Sequence, residues 1–355
     1  MFLKFSNCSI RDILLVLPAV EHSYLEDMGN FDAPLSRSKK LADVMGYDKR
    51  RIVSPDTCSS DLAVFGLQHL FDTKVILPHE IDALIVVTQT PDHFIPPTSF
   101  VIQGELKLKK DMICLDLVQG CAGFILGLIQ AFMLLGQQSI DKVALVNVDV
   151  LSRKVSSRDR NSFPLVGDAA SITIIEKGGN EKIWASIKVD GTGRDALIIP
   201  AGGMRLPSTI ETSVVRDDGN SNHRALDHLV MDGSAVFNFV QTEIPSLISE
   251  IISQADLTDA DIDAYVFHQP NRFMLEKLAD KMKVPHSKMP MNVVERFGNN
   301  SGVTIPTVLA TNLAESLVRK SGRYCLAGFG VGLTQASVIM GLGPVNSCNV
   351  IEYHS

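Results

Sequence analysis

The chain alternates two kinds of apolar stretch. The first is a short unbroken run ending in polar residues, as in Ile81-Asp82-Ala83-Leu84-Ile85-Val86-Val87-Thr88-Gln89-Thr90-Pro91. Such runs predict strands buried on both faces of a sheet. Residues 13–17, 142–150, 172–175 and 183–189 read the same way. The second kind carries apolar residues at helical spacing. Leu62, Val64, Phe65, Leu67 and Leu70 predict a helix over 61–71. Residues 124–135 predict another, stopped at Gly136, and residues 231–252 a long one with Val236, Val240, Ile244, Leu247, Ile248 and Ile251 on its apolar face. Residues 99–108 predict a shorter helix, and the glycine-rich, polar stretch 191–226 predicts a long loop. Strands alternating with helices imply parallel sheets packed against helices.

The pattern repeats. Ile262-Asp263-Ala264-Tyr265-Val266-Phe267-His268-Gln269-Pro270 echoes the run from Ile81 to Pro91, at an offset of 262 − 81 = 181. Residues 323–330 echo the strand over 142–150 at the same offset, 323 − 142 = 181. Residues 304–317 likewise answer the helix over 124–135. The chain therefore reads as two similar halves, 1–180 and 181–355, each alternating strands and helices.

The stretch Met112-Ile113-Cys114-Leu115-Asp116-Leu117-Val118-Gln119-Gly120-Cys121-Ala122-Gly123-Phe124 reads as strand, tight turn of small residues, then helix. A thiol in that turn meets the positive end of a helix dipole and free backbone N–H groups, which favour the thiolate. Small neighbours leave room for a substrate. The arrangement is a nucleophile elbow with sulfur in place of oxygen. A buried, inert cysteine is the competing reading of this stretch alone.

Composition narrows the classes. A chain of 355 residues, 45% hydrophobic and 21% charged, has ample material for a large core and predicts two domain-sized units or one large one. The net charge of −7 and the lack of a basic block argue against nucleic acid as a partner. One local basic stretch, Arg37 to Arg51, reads as a solvated face or as a site for a phosphate-bearing ligand, and residues 152–162 read as a polar loop carrying Arg153, Lys154, Arg158 and Arg160. The six cysteines form no CxxC pair and no regular spacing, so no disulfide framework or metal site is expected. His223 and His228 are spaced poorly for two ligands on one helix face. The apolar run over 13–20 is interrupted by Pro18 and too short to span a membrane. A cytoplasmic protein without membrane contact is expected.

Cys121, His268 and the turn Phe297-Gly298-Asn299-Asn300-Ser301-Gly302 all fall at strand ends or helix starts, where open parallel sheets bind ligands. With their neighbours they resemble the thiolase-like condensing enzymes, and within them the beta-ketoacyl-ACP synthase III family. The resemblance rests on Gly120-Cys121-Ala122-Gly123-Phe124, His268-Gln269-Pro270-Asn271, Gly298-Asn299-Asn300-Ser301 and Gly328-Phe329-Gly330-Val331-Gly332-Leu333-Thr334. Val166-Gly167-Asp168-Ala169-Ala170 and Met231-Asp232-Gly233-Ser234-Ala235-Val236-Phe237 also match.

The resemblance implies a thiolase-like α/β fold: two pseudo-symmetric halves of mixed, mostly parallel sheets with helices in α-β-α-β-α layers. The half 1–180 supplies the nucleophile, and the half 181–355 supplies histidine and asparagine. It implies that Cys121 takes an acyl group from an acyl-CoA or acyl-ACP donor, and that the backbone N–H groups of Cys121 and Val331 form an oxyanion hole. His268 and Asn299 then assist decarboxylation of malonyl-ACP, and a beta-ketoacyl thioester leaves. CoA or phosphopantetheine thioesters are substrates; no cofactor or metal is implied. By the same resemblance Arg160 helps bind the CoA nucleotide, Asn271 lies near the pantetheine arm and Arg272 contributes to carrier-protein docking. Ile95 stands where a homodimer partner reaches into the acyl pocket. Departures cluster on the CoA side. The family's adenine-stacking tryptophan is replaced near Lys40 and a nearby arginine near Val44; the only tryptophan here is Trp184. The family's glycine-containing opening is absent from 13–21, Pro270 replaces a small residue, and Val331 stands where glycine is usual. Two other functions remain open on the sequence: acyl transfer from Cys121 to an alcohol or amine, and a non-catalytic subunit paired with an active synthase.

Overall fold

A computed structural model describes residues 1–179 and 181–354. Asn180, at the boundary expected between the halves, and Ser355 lie outside the described residues. We label the main strands β1 (Phe2–Phe5), β2 (Cys8–Pro18), β3 (Ala83–Val87), β4 (Ile113–Leu117), β5 (Lys142–Asp149), β6 (Ala169–Lys177), β7 (Ile183–Val189), β8 (Ala264–Phe267), β9 (Gly322–Gly330), β10 (Thr334–Leu342) and β11 (Ser347–Tyr353). The main helices are α1 (Leu35–Met45), α2 (Ser59–Asp72), α3 (Thr98–Glu105), α4 (Gly123–Leu135), α5 (Gly233–Gln254), α6 (Arg272–Met282) and α7 (Thr304–Asn312).

Two large sheets stack with helices between and outside them. One has six strands in the order β11-β2-β6-β5-β3-β4; the other has five in the order β1-β7-β10-β9-β8. The alternation of side chains along each strand builds the layers. In β2, Ile13, Leu15 and Leu17 point to the central layer, while Leu14 and Val16 point outward. In β8, Ala264 and Val266 face the centre, and Tyr265 and Phe267 face out. Helices α4 and α7 fill the centre through Phe124, Ile125, Leu128, Ile305 and Val308. Helices α2 and α3 cover one outer face through Leu62, Leu67 and Ile102. Helices α5 and α6 cover the other through Val240, Ile244 and Leu275. The layers are α-β-α-β-α.

The internal echo is a repeat of register. Parallel β3 and β5 pair with Ala83 opposite Val143, and parallel β8 and β9 pair with Ala264 opposite Tyr324. Both differences are 181 (264 − 83 and 324 − 143). Helices α4 and α7 start at the same offset, 304 − 123 = 181. The sheets are mixed. Pairs β3–β4, β3–β5, β8–β9 and β2–β11 are parallel, whereas β2–β6, β5–β6, β9–β10, β7–β10 and β1–β7 are antiparallel. Antiparallel β2–β6 and β5–β6 join strands that the apolar pattern predicts, whereas β9–β10 and β7–β10 involve a strand that it hides. Strand β10 buries polar Gln335 and Ser337, and β11, hidden likewise, exposes Asn349, Val350 and Glu352. Each end of the chain joins the sheet of the other half: β1 lies beside β7, and β11 beside β2. We propose the division at 180/181 as an organisational one, two repeats that exchange terminal strands.

The loop expected over 191–226 is irregular for most of its length, with a short 3-10 turn at Gly191–Ala196. The long helix starts at Gly233, where Asp232 accepts hydrogen bonds from the N–H groups of Ser234 and Ala235 and so caps it. Among the described residues, no helix is long and apolar enough to cross a membrane.

Helix α4 approaches the sheet closely because Gly127 has no side chain. A Cβ there would lie 2.5 Å from Leu145 Cδ1 and 3.1 Å from Val87 Cγ2. Gly127→Val should therefore cost about 1–3 kcal/mol by overpacking. The check is a denaturant titration: the midpoint should fall with an unchanged slope, and an unchanged midpoint would show that the layer can open.

Candidate active site

Strand β4 ends at Leu117, and the chain turns through Gly120 and Cys121 into α4. The turn is closed by Gly123 N–H donating to Gly120 O at 2.7 Å. The other sheet presses on it through glycines. A Cβ on Gly328 would lie 2.7 Å from Ala122 Cα. Gly330 has φ +158°, and a Cβ there would lie 2.9 Å from the Cys121 sulfur. Only glycine lets β9 pass this close to the thiol.

The Cys121 and Val331 N–H groups and the Ser301 hydroxyl each favour the Cys121 thiolate. The backbone N–H groups favour the thiolate as expected, but they are not the largest influence. Burial is the largest influence and, with the nearby Asp149 charge, pushes the thiol up to about 11 against the pull of these donors. The helix start is too weak a field to offset removal of the sulfur from water.

His268 follows β8 and is buried. Its Nδ1 lies 2.7 Å from Thr304 Oγ1, which is also 3.0 Å from Ser301 O. Phe329 meets the imidazole edge-to-face at 5.7 Å. Burial pushes the imidazole down to about 3, so the ring is neutral at neutral pH.

Asn299 is held from both sides. Its N–H donates to Leu165 O at 2.7 Å, and its O accepts from Gly167 N–H at 3.1 Å. Its Oδ1 accepts the Ser301 N–H at 3.0 Å, which turns the amide NH2 away toward the cavity. The Val166-Gly167-Asp168 motif supplies this clamp. The Asp168 carboxylate is buried and accepts from Val53 N–H, Ser152 N–H and Ser152 Oγ, at 3.0, 3.0 and 2.5 Å. Buried Arg50 pairs with Asp27 at 2.8 Å, donates to Val166 O at 3.3 Å and stacks on Phe163 at 4.1 Å.

Cys121, His268 and Asn299 line one cavity of about 680 Å³, together with Arg160, Asn271, Phe237 and Phe273. A second cavity of about 380 Å³ meets it at Cys121 and Asn299 and has largely apolar walls, including Leu151, Val166, Ile198, Ile199 and Leu229. Val331 lies on that second wall. The thiol thus sits on the wall that the two cavities share.

The remaining expected residues fall as follows. Arg160 reaches the large cavity and donates to Asn220 O at 3.1 Å. Asn271 caps α6 through Met274 N–H at 2.8 Å while lining the cavity. Arg272 lies outside the two cavities and is engaged by Glu295 and the Asp43 carbonyl. Ile95 is also outside both and is 85% exposed, in a loop after β3. His223 and His228 make no metal site: His228 Nδ1 accepts the Ala225 N–H at 3.0 Å, and no metal-holding group of His, Cys, Asp or Glu occurs among the described residues.

Gln89, Asp149, Ser301 and Thr304 touch the site without having been singled out by sequence. The available signals were positional. Asp149 is the lone acid ending an apolar strand, Gln89 follows the sister strand, and Thr304 opens the echo of α4.

Comparison with known proteins bears on the same residues. Residues 115–192 match the family model described as 3-oxoacyl-[acyl-carrier-protein (ACP)] synthase III, and residues 252–342 match its C-terminal counterpart. A beta-ketoacyl-[acyl-carrier-protein] synthase III of Fusobacterium nucleatum is 32% identical over 298 residues, 83% of this chain and 87% of that protein. The crystal structure of a 3-oxoacyl-(acyl-carrier protein) synthase from Burkholderia xenovorans superposes with a TM-score of 0.92 at 30% identity, covering 99% of each chain. The priming beta-ketosynthase of the R1128 polyketide pathway superposes with a TM-score of 0.77 at 25% identity, over 95% of this chain and 96% of that one. The thiolase-like layers, the glycine-lined cysteine turn and these matches converge: the chain belongs to the 3-oxoacyl-[acyl-carrier-protein] synthase III family of condensing transferases.

Proposed function

We propose that this enzyme joins an acyl group carried on Cys121 to a malonyl thioester by decarboxylative Claisen condensation, giving a beta-ketoacyl thioester. The observation that carries the reading is the meeting of two cavities at Cys121, with Asn299 also on the shared wall and His268 on the wall of the larger one. The larger cavity suits a CoA or carrier-protein phosphopantetheine arm, with Arg160 and Asn271 on its wall. The apolar cavity suits the acyl chain. No metal or redox cofactor takes part in this chemistry.

In the first half-reaction Cys121 attacks the acyl thioester. The carbonyl oxygen gains charge and sits between the N–H groups of Cys121 and Val331; one such donor is worth about 10²–10³ in rate. The donor's sulfur leaves, and the acyl group stays on Cys121. In the second half-reaction malonyl-ACP enters and loses carbon dioxide. The thioester oxygen that gains the enolate charge accepts hydrogen bonds from the Asn299 amide and His268 Nε2–H. That role places the ring proton on Nε2, with the Thr304 hydroxyl donating to Nδ1 in preference to Ser301 O. A neutral imidazole suits a donor that must not lose its proton. The carbanion then attacks the acyl carbonyl, and Cys121 leaves as thiolate.

We also propose a homodimer built on the free edge of β4. That strand is the outer member of its sheet, and the residues around it expose Phe94, Ile95, Phe100, Ile113 and Val118. An uncovered apolar strand edge is a pairing surface, and Ile95 would serve the partner's acyl pocket. Arg272, at the start of α6 and outside both cavities, is assigned to carrier docking through the family resemblance alone.

Incubation with acyl-CoA and acyl-carrier donors, followed by intact mass measurement, should give an acyl adduct that Cys121→Ala abolishes. Malonyl-carrier protein should then yield carbon dioxide and a ketoacyl product. An ester or amide formed without carbon dioxide release would overturn condensation in favour of acyl transfer to an alcohol or amine. No adduct from any donor would favour a non-catalytic subunit.

His268→Ala should leave adduct formation within about tenfold and slow malonyl decarboxylation by about 10²–10³. Because burial lowers the imidazole to about 3, the ring holds no extra proton above that pH. The decarboxylation rate should show no histidine limb between roughly pH 5 and 8. A limb near 6.5 that disappears in His268→Ala would contradict the neutral-donor role.

A further inference from the structure

The smaller cavity at Cys121 carries a charge that a plain acyl chain does not need. Its walls include apolar Leu151, Ile199 and Leu229 and the neutral polar side chains of Gln89, Asn299 and Ser301. Among the described residues that line it, Arg194 is the one with a charged side chain. We propose that the Arg194 guanidinium selects acyl groups that end in a carboxylate, so that Cys121 is loaded from the monothioester of a dicarboxylic acid. This rests on the acyl-carrying role of Cys121 proposed above and names the class of acyl group.

The turn that holds Arg194 is fixed to the segment that follows Val331. Asp190 and Leu333 exchange backbone hydrogen bonds: Asp190 N–H donates to Leu333 O at 2.9 Å, and Leu333 N–H to Asp190 O at 2.8 Å. Asp190 Oδ1 also accepts the Thr192 N–H at 2.9 Å and so caps the 3-10 turn Gly191–Ala196. Gly193 lies against Leu333, where a Cβ would be 2.7 Å from Leu333 Cδ1. On the other side of Arg194, Leu197 pairs with Met231 and Ile198 with Val230. Leu197, Ile198 and Met231 line the cavity themselves. Arg194 is thus held between two segments that both build the acyl chamber.

The guanidinium is open to a ligand. Its one ion pair among the described residues is with its neighbour Asp195, whose Oδ1 lies 3.7 Å from Arg194 Nε. That separation exceeds a hydrogen bond. The two side chains are 73% and 74% exposed, and a pair so open to water is worth little. An alkyl end that reached Arg194 would strip water from a cation that is always charged and give it no partner. A carboxylate in the same place accepts two parallel N–H···O bonds from the planar fork. The apolar walls take the methylenes between the two ends of the acyl group.

The loading step balances without the distal carboxylate. The bond from Cys121 Sγ to the acyl carbon forms, the bond from that carbon to the donor's sulfur breaks, and the thiol proton ends on the released donor thiol. After condensation the beta-ketoacyl thioester still carries its terminal carboxylate.

The test pairs succinyl-, glutaryl- and adipyl-CoA with butyryl-, pentanoyl- and hexanoyl-CoA, donors of matching chain length. Adduct formation on Cys121 in the full chain is followed by intact mass. At the length that fits, wild type should favour the acid over its alkyl match by about tenfold at low salt. The preference should shrink as salt is raised, because the pair is open to water. Arg194→Gln should erase the preference, and Arg194→Lys should keep part of it. An arginine that only covers the apolar wall with its methylene stem predicts no preference at any length. No preference in wild type, or one that Arg194→Gln leaves intact, overturns the proposal. A second readout needs no thioester. Adipic acid monoamide should protect Cys121 from iodoacetamide better than hexanamide does, and Arg194→Gln should abolish the difference. That protection in a chain acylated by no donor keeps the carboxylate site and loses the condensing function. Equal protection by the two amides in such a chain overturns both.

Discussion

The site depends on the closeness of β9 to the Cys121 turn. Gly328 and Gly330 bring one sheet's backbone against the nucleophile carried by the other sheet's connection to α4. No side chain fits between them. That contact places the β9 backbone directly against Ala122 and the Cys121 sulfur. Loosening it would separate the two halves of the chemistry, since Cys121 and Asn299 come from facing copies of one repeated unit.

Burial then sets the chemistry in this contact. Taking the thiol, imidazole and Asp149 carboxyl out of water pushes each toward its neutral form. The result is a site of neutral donors and a thiol that does not ionise at rest. Asn299 and His268 are both oriented through the short segment from Ser301 to Thr304, so this segment governs both donors.

Much of this was legible in the chain. The apolar runs ending at Thr88 and His268, the shared offset, and the Cys121 turn each mark a place where a buried parallel strand delivers a polar residue to a sheet edge. Periodicity reports such strands well because both faces are covered. It reports β10 and β11 poorly, since one buries polar residues and the other leaves a face in water. The exchange of β1 and β11 between sheets was invisible for a different reason: local pattern carries no information about which distant edge a strand will join.

The sequence by itself determined the layered α/β class, the repeat, and the placing of cysteine, histidine and asparagine at strand ends and helix starts. These are consequences of period and turn chemistry, which are local. Only the tertiary structure decided how burial acts on the Cys121 thiol, the clamp of Asn299 by Leu165 and Gly167, and the contact of Gln89 with both Asp149 and Ser301. Those depend on burial and on contacts between segments as far apart as Gln89 and Ser301. Electrostatics in a dry interior is set by every neighbour at once, and no stretch of chain read alone contains its neighbours.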